Sequence, residues 1–304
     1  MALSAWKHLP AWASLFIAGT ASAHTLPSTV YRGTAGDMQL EVVLQFDSAW
    51  DGMAGFVETS AAADHLSLEK TPFEAGEPLL INLRDNTPMP PAAIEFQSFA
   101  IDQKVLLGRW IDLRTREERP VQLQREQVFS EDSRVAYEAD LLQKGTSQGM
   151  SFRVHARKPA GEQVPLFDRI TVGDKASGAT LQVIEGLDAY FFGTDTLRLA
   201  YLDDDAYLDF SFVPRRIRES DQALANGTVQ YYLYDPATGR YALHPVLTEM
   251  AGSGSLYFDT YRRGRFEYRL EGGDGYRPGN FRGGFYRLAE GQRVVMLPAG
   301  EGAQ

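Results

Sequence analysis

The chain has 304 residues, a formal net charge of −10 and no cysteine. The surplus of acid argues against nucleic acid as a partner, because phosphate binding needs a basic surface. Without Cys there are neither disulfides nor thiolate chemistry, so packing, with or without a metal, must hold the fold, and the length is ample for one large or two modest cores.

Residues 1–23 carry Lys7 near the start, an apolar run over 11–18, and Ala21-Ser22-Ala23 as a small-residue cleavage site. This is the pattern of a secretory signal peptide, so a periplasmic or secreted protein is expected. No later stretch reaches the roughly 18 apolar residues of a membrane-spanning helix.

Residues 24–128 read as a small β-module. Met38, Leu40, Val42, Leu44 and Phe46 alternate with polar or smaller neighbours, and Asp51-Gly52 turns the chain toward Phe56. Residues 66–68, 79–83, 94–101 and 105–113 continue as short strands, which in succession imply antiparallel pairing. Pro88, Pro90 and Pro91 interrupt where a ladder cannot lose donors. Tyr31-Arg32-Gly33-Thr34, Leu107-Gly108-Arg109-Trp110 and Pro120-Val121-Gln122-Leu123 resemble the opening, middle and closing strands of a barrel-like module of exported bacterial proteins. Trp110 is expected in its core. Residues 124–144, charged and weakly periodic, suggest a short helix bridging two halves, with a boundary near Phe129.

Residues 129–304 are expected to form a second antiparallel β unit, making the whole protein mainly β. Leu197, Leu199 and Tyr201 on one side, and Phe210 and Phe212 on the other, flank an acidic turn. Asp203, Asp205 and Asp209 recur at odd spacing there, and hard oxygen ligands so placed suit calcium. The register is not that of an EF-hand: counting from Asp203, Tyr207 falls at the fifth position, Leu208 at the glycine and Pro214 at the closing acid. Beyond the break at 223–227 come a tyrosine-rich strand, a tight turn at 236–239, and a strand expected over 241–247. A Gly-Ser-rich loop at 252–257, aromatic and arginine strands at 261–268 and 284–288, and a last strand at 294–297 complete the chain.

The order of these segments carries a resemblance. Ser177-Gly178-Ala179-Thr180-Leu181-Gln182-Val183-Ile184, the acidic turn, and Asn226-Gly227-Thr228-Val229-Gln230-Tyr231-Tyr232-Leu233-Tyr234-Asp235 with its following glycine turn resemble periplasmic lysozyme-inhibitor-like immunity proteins of bacterial antibacterial secretion systems. The resemblance spans roughly residues 164–298. It implies a propeller-like or inhibitor-like β domain and a calcium loop in which Asp203, Asp205 and Asp209 are ligands. Tyr201 stands in place of the first acid and Ala206 in place of a glycine. It also implies a basic, lysozyme-type peptidoglycan-cleaving enzyme as partner. Contacts would come from Asn226, Val229 and Tyr231, Val229 occupying the place of a tyrosine that blocks the target in the relatives. Ser253 and Tyr257 would lie on a loop like the one that enters the enzyme's cleft.

The alternative is a cell-envelope structural or glycan-binding protein that uses Tyr261 and Phe266 as a sugar platform. No Gly-x-Ser-x-Gly elbow, His-Glu-x-x-His or phosphate loop is present, so binding is expected in place of catalysis.

Overall fold

The computed structural model describes residues 27–47, 52–60, 62, 64–85, 87–215, 229–259, 262–270, 281–289 and 292–298. The expected signal segment, Asn226 and Tyr261 lie outside these residues.

The protein is mainly β. Nine strands form the first sheet: β1 (Ser28–Ala35), β2 (Met38–Asp47), β3 (Gly52–Thr59), β4 (Leu66–Leu68), β5 (Thr71–Pro72), β6 (Leu79–Arg84), β7 (Ala92–Phe96), β8 (Val105–Asp112) and β9 (Glu118–Phe129). Eight of them close in the order β1-β9-β8-β7-β6-β4-β3-β2 and back to β1, every pair antiparallel, with β5 attached outside on β3. Closure leaves no free edge in those eight strands. The alternation expected for β2 holds: Met38, Leu40, Val42, Leu44 and Phe46 all point into the barrel, where Trp110 is also buried. Two motif glycines have a steric reason. A Cβ on Gly33 would run into the Gln122 carbonyl oxygen and one on Gly108 into that of Glu95, so both strands approach a neighbour too closely for a side chain.

The bridging helix expected over 124–144 is not formed. β9 continues to Phe129, and β10 (Tyr137–Ser147) pairs with β11 (Met150–Lys158) from Tyr137↔Lys158 onward. The ladder shifts between Leu142 and Thr146, and Leu141, Leu142 and Gln143 are consecutively buried. A bulge of this kind erases the period-two signal locally.

β10, β11, β12 (Leu166–Asp174) and β13 (Thr180–Ile184) make the second sheet, a meander, with β14 (Ala189–Tyr190) also paired to β12. The third sheet is β15 (Arg198–Ala200), β16 (Asp209–Phe212), β17 (Gln230–Asp235) and β18 (Arg240–Leu243). The strand expected over 241–247 stops at Leu243, because His244 and Pro245 begin helix α1 (Pro245–Ala251). The His244 ring accepts the Leu247 amide at 3.1 Å and Pro245 sits where the missing N–H costs nothing. The fourth sheet is β19 (Gly254–Phe258), β20 (Arg265–Leu270), β21 (Gly284–Ala289) and β22 (Arg293–Met296).

Barrel and second half share a core. Val30, Val43, Phe56 and Phe129 project outward from the barrel and pack with Phe152, Phe167, Phe210, Phe212, Tyr232 and Tyr241 of the second and third sheets. A further core, with Tyr231, Leu233, Leu247, Met250, Phe266, Tyr268, Tyr286 and Leu288, joins the third sheet to α1 and the fourth. The alternation of β17 divides its residues between the two: Tyr232 faces one core, Tyr231 and Leu233 the other.

Candidate functional site: an acidic cleft beside the third sheet

The acidic turn joins β15 to β16, and β16 pairs with the tyrosine-rich β17 through Phe210↔Tyr232 and Ser211↔Tyr231. Local carboxylate chemistry shapes the turn. Asp203 Oδ1 accepts the Asp205 amide at 3.0 Å, and Asp205 Oδ1 accepts the Tyr207 amide at 2.7 Å, two successive turns of the kind Asp side chains favour. Beneath them Asp209 is fully buried, its Oδ2 accepting the Leu202 amide at 3.0 Å and its Oδ1 the Tyr234 amide at 2.9 Å. One side chain thus ties the turn to the third strand of the sheet.

Neighbouring elements brace the same turn. Ser147 Oγ accepts the Leu208 amide (2.7 Å), Gln148 Nε2 donates to the Ala206 carbonyl (2.9 Å) and the Tyr241 hydroxyl donates to the Leu208 carbonyl (2.9 Å). From the other side, the Arg263 guanidinium lies 3.7 Å from the centre of the Tyr201 ring and donates to the Asp205 carbonyl at 3.1 Å. Tyr207 stacks on Tyr234 at 4.1 Å. Gln292 Nε2 donates to the Tyr234 carbonyl at 3.1 Å and closes the base.

Above this framework lies an open cleft of about 500 Å3, lined by Asp203, Asp204, Asp205 and Asp235 together with Tyr234, Leu288 and Gln292. Burial, and after it the neighbouring Asp203 charge, pushes the Asp209 carboxyl up to about 8, outweighing the two amides that favour its charged form. Asp203 is pushed up to about 6, first by burial and then by the charges of Asp205 and Asp204. Asp205 Oδ2 is buried without a hydrogen-bond partner. Among the described residues no three His, Asp or Glu side chains are gathered into a metal-holding group. What the arrangement offers is a surplus of carboxylates at an accessible depression, with the Arg263 guanidinium beside it on the Asp205 carbonyl.

The residues expected at a site fall in three places. Asp203 and Asp205 line the cleft, with Asp209 as the anchor under them. Val229 is half-buried against the core that also holds Tyr231. Tyr231 is 7% exposed, its ring 5.7 Å from that of Phe258, and burial pushes its hydroxyl up to about 12. Its side chain is a packing element, because the strand turns it inward with Leu233.

Ser253 is not on an extended loop. It closes the turn between α1 and β19, with its Oγ 2.8 Å from the Tyr268 hydroxyl. Tyr257 is exposed on β19 under the Arg269 guanidinium. Phe266, expected on a sugar platform, is 1% exposed and belongs to the core. Asp204, Asp235 and Gln292 were not anticipated as cleft residues. Asp204 was visible as the middle of the acidic run and Asp235 as the start of the Asp-Pro turn, but their convergence needs the β17–β18 hairpin to fold back beside β15–β16.

The chain matches no protein-family model and no curated protein sequence.

Proposed function

We propose that this is an exported binding protein that holds a basic, lysozyme-type peptidoglycan-cleaving enzyme at the acidic cleft. The observation that carries the reading is the gathering of four aspartates, Asp203, Asp204, Asp205 and Asp235, around one accessible cleft whose walls come from two different sheets. A Lys or Arg side chain of the partner entering past the exposed Asp204 would meet Asp203 and Asp205, which are partly desolvated, and there a charge-assisted hydrogen bond is stronger than at an open surface. Entry of a cation would also draw the Asp203 proton off, so association is tighter above pH 6 than below it.

Calcium, which the family resemblance attaches to this turn, would be held by Asp203 and by Asp205 through its unpartnered Oδ2. Bound there it would neutralise the turn while leaving Asp204 and Asp235 to the partner. Asp209 would support the turn from below through its two amide bonds.

The test is titration calorimetry and a peptidoglycan-lysis assay with the purified protein against basic lysozyme-type hydrolases, at low and high salt. Binding that weakens about tenfold or more in D204N/D235N and fades with salt supports the proposal. Neither binding nor inhibition with any such enzyme would overturn it.

A further inference from the structure

The fourth sheet has two unlike faces. Its inward side chains, Phe266, Tyr268, Tyr286 and Leu288, are buried in the core that holds α1. Alternation along the same strands sends Tyr257, Arg265, Arg269, Phe285, Arg287 and Arg293 to the other side. Tyr257 and Phe285 are 40% and 39% exposed. Both lie opposite Glu267 in the register, on either side of β20, so their Cα atoms stand two strand spacings apart, about 9.5 Å.

The charge of this face opposes that of the whole chain. Glu267 is the single carboxylate within the four strands, against four arginines, in a protein of net charge −10. Glu267 fixes one of those arginines: Arg269 donates to it at 2.8 and 2.7 Å, and its guanidinium lies 4.6 Å from the Tyr257 ring centre. Arg287 and Arg293 are exposed, and their side chains make no hydrogen bond or ion pair among the described residues.

Flat aromatic faces set between planar guanidinium forks fit a ligand that offers both ring faces and carboxylates. Sugar rings present C–H faces that stack on aromatics, and carboxylates match the bidentate geometry of Arg. Single-stranded nucleic acid also joins flat rings to anions, but carries phosphates, not the planar carboxylates that Arg matches side by side, and is a comparison in the test below. A bilayer surface calls for a continuous apolar stripe, and here Tyr257, Phe285 and Val295 stand singly among charged groups. We infer that the outward face of the fourth sheet is a docking surface for an acidic glycan, a polysaccharide whose sugar rings carry carboxylates. This face adjoins the acidic cleft at Ala289 and Gln292, and the two proposals are told apart by their variants: R287A/R293A and Y257A/F285A read this one, D204N/D235N the other.

The test measures binding of the purified full chain to polygalacturonate by titration calorimetry and affinity electrophoresis. Neutral dextran, single-stranded DNA and vesicles of phosphatidylcholine with phosphatidylglycerol serve as comparisons. Polygalacturonate binds and dextran does not; R287A/R293A weakens binding by about tenfold or more, the scale of a lost charge-assisted hydrogen bond. Y257A/F285A weakens it several-fold. Should the melting curve of the alanine variant show misfolding, R287K/R293K keeps the charge, loses the planar fork and still binds more weakly than the wild type. No binding to polygalacturonate, binding that the arginine and aromatic variants all retain, or equal binding to DNA or vesicles overturns the inference.

Discussion

Asp209 accepts the backbone amide of Tyr234 at 2.9 Å, across 25 positions of sequence and from a fully buried carboxyl. The same side chain accepts the Leu202 amide, so a single residue closes the acidic turn and fixes the strand that carries Tyr231 and Tyr232. Cleft geometry therefore depends on a residue that does not itself line the cleft.

Asp209→Ala should lower stability by about 2–3 kcal/mol, since two buried amides lose their acceptor. Asp209→Asn, which keeps one carbonyl acceptor and carries no charge to desolvate, should cost markedly less. Urea unfolding of the two variants at pH 8.5 checks the order; equal losses would show that the carboxyl is not the staple.

Asp203 and Asp209 have pKa values raised to about 6 and about 8 in the folded state. Their folded forms hold protons that the unfolded chain has released, so their contribution to stability is greatest below about pH 4 and declines as pH rises through 6 to 8. The melting temperature of D203N/D209N should fall less than that of the wild type between pH 5 and 8.5. Added calcium should raise the wild-type value at pH 8 by mass action, and Asp205→Ala should abolish that response. A wild-type melting temperature indifferent to calcium at pH 8 would remove the metal from the account.

His65 has the opposite sign. It is buried and stacked on Phe56 at 5.0 Å, with neither ring nitrogen hydrogen-bonded and Nε2 3.7 Å from Glu58 Oε1, too far for a hydrogen bond. Burial lowers its pKa, and the Glu58 carboxylate only partly offsets this. Its contribution is complete above the unfolded value of about 6.5 and is lost as pH falls toward and through the depressed folded value. His65→Phe should flatten this acid limb and raise stability at pH 7 by about 1 kcal/mol, the scale of one unsatisfied buried polar group. Chemical denaturation from pH 4.5 to 7.5 reads both effects.

Arg153 binds Glu41 through two hydrogen bonds, at 2.8 and 2.7 Å, with a third to Glu58 at 3.3 Å, and so joins the second sheet to the barrel. Glu41 is nearly buried and Arg153 is three-quarters covered. Arg153→Ala should cost about 2 kcal/mol, because Glu41 loses two charge-assisted hydrogen bonds and keeps the one from Arg32 Nε at 2.8 Å, whereas R153M/E41L should be close to neutral. A double-mutant cycle gives the coupling, and additive losses would show that the pair does not couple the two halves.

Strand content, the alternation of β2, the burial of Trp110 and the acidic turn between two short strands were legible in the residues alone, since each depends on local periodicity and turn chemistry. Helix α1 was missed although its signals, His244 as cap and Pro245 at the first position, were present. Seven residues are too short a span to show a helical period. The strand running into 137–147 was hidden by a bulge that placed three buried residues in a row. The inward turn of Tyr231 and Phe266 was hidden as well, because an aromatic strand looks alike on either face until something covers one of them.

By itself, then, the sequence determined that this is a mainly β chain with an acidic turn of turn-forming aspartates, because spacing and side-chain chemistry act over a few residues. Only the tertiary structure decided that eight strands close into a barrel, that Asp235 and Gln292 join Asp203 to Asp205 around one cleft, and that Tyr257 and Phe285 face outward among arginines. These relationships join residues tens of positions apart, and strand register and sheet packing, which no local pattern encodes, set which of them meet.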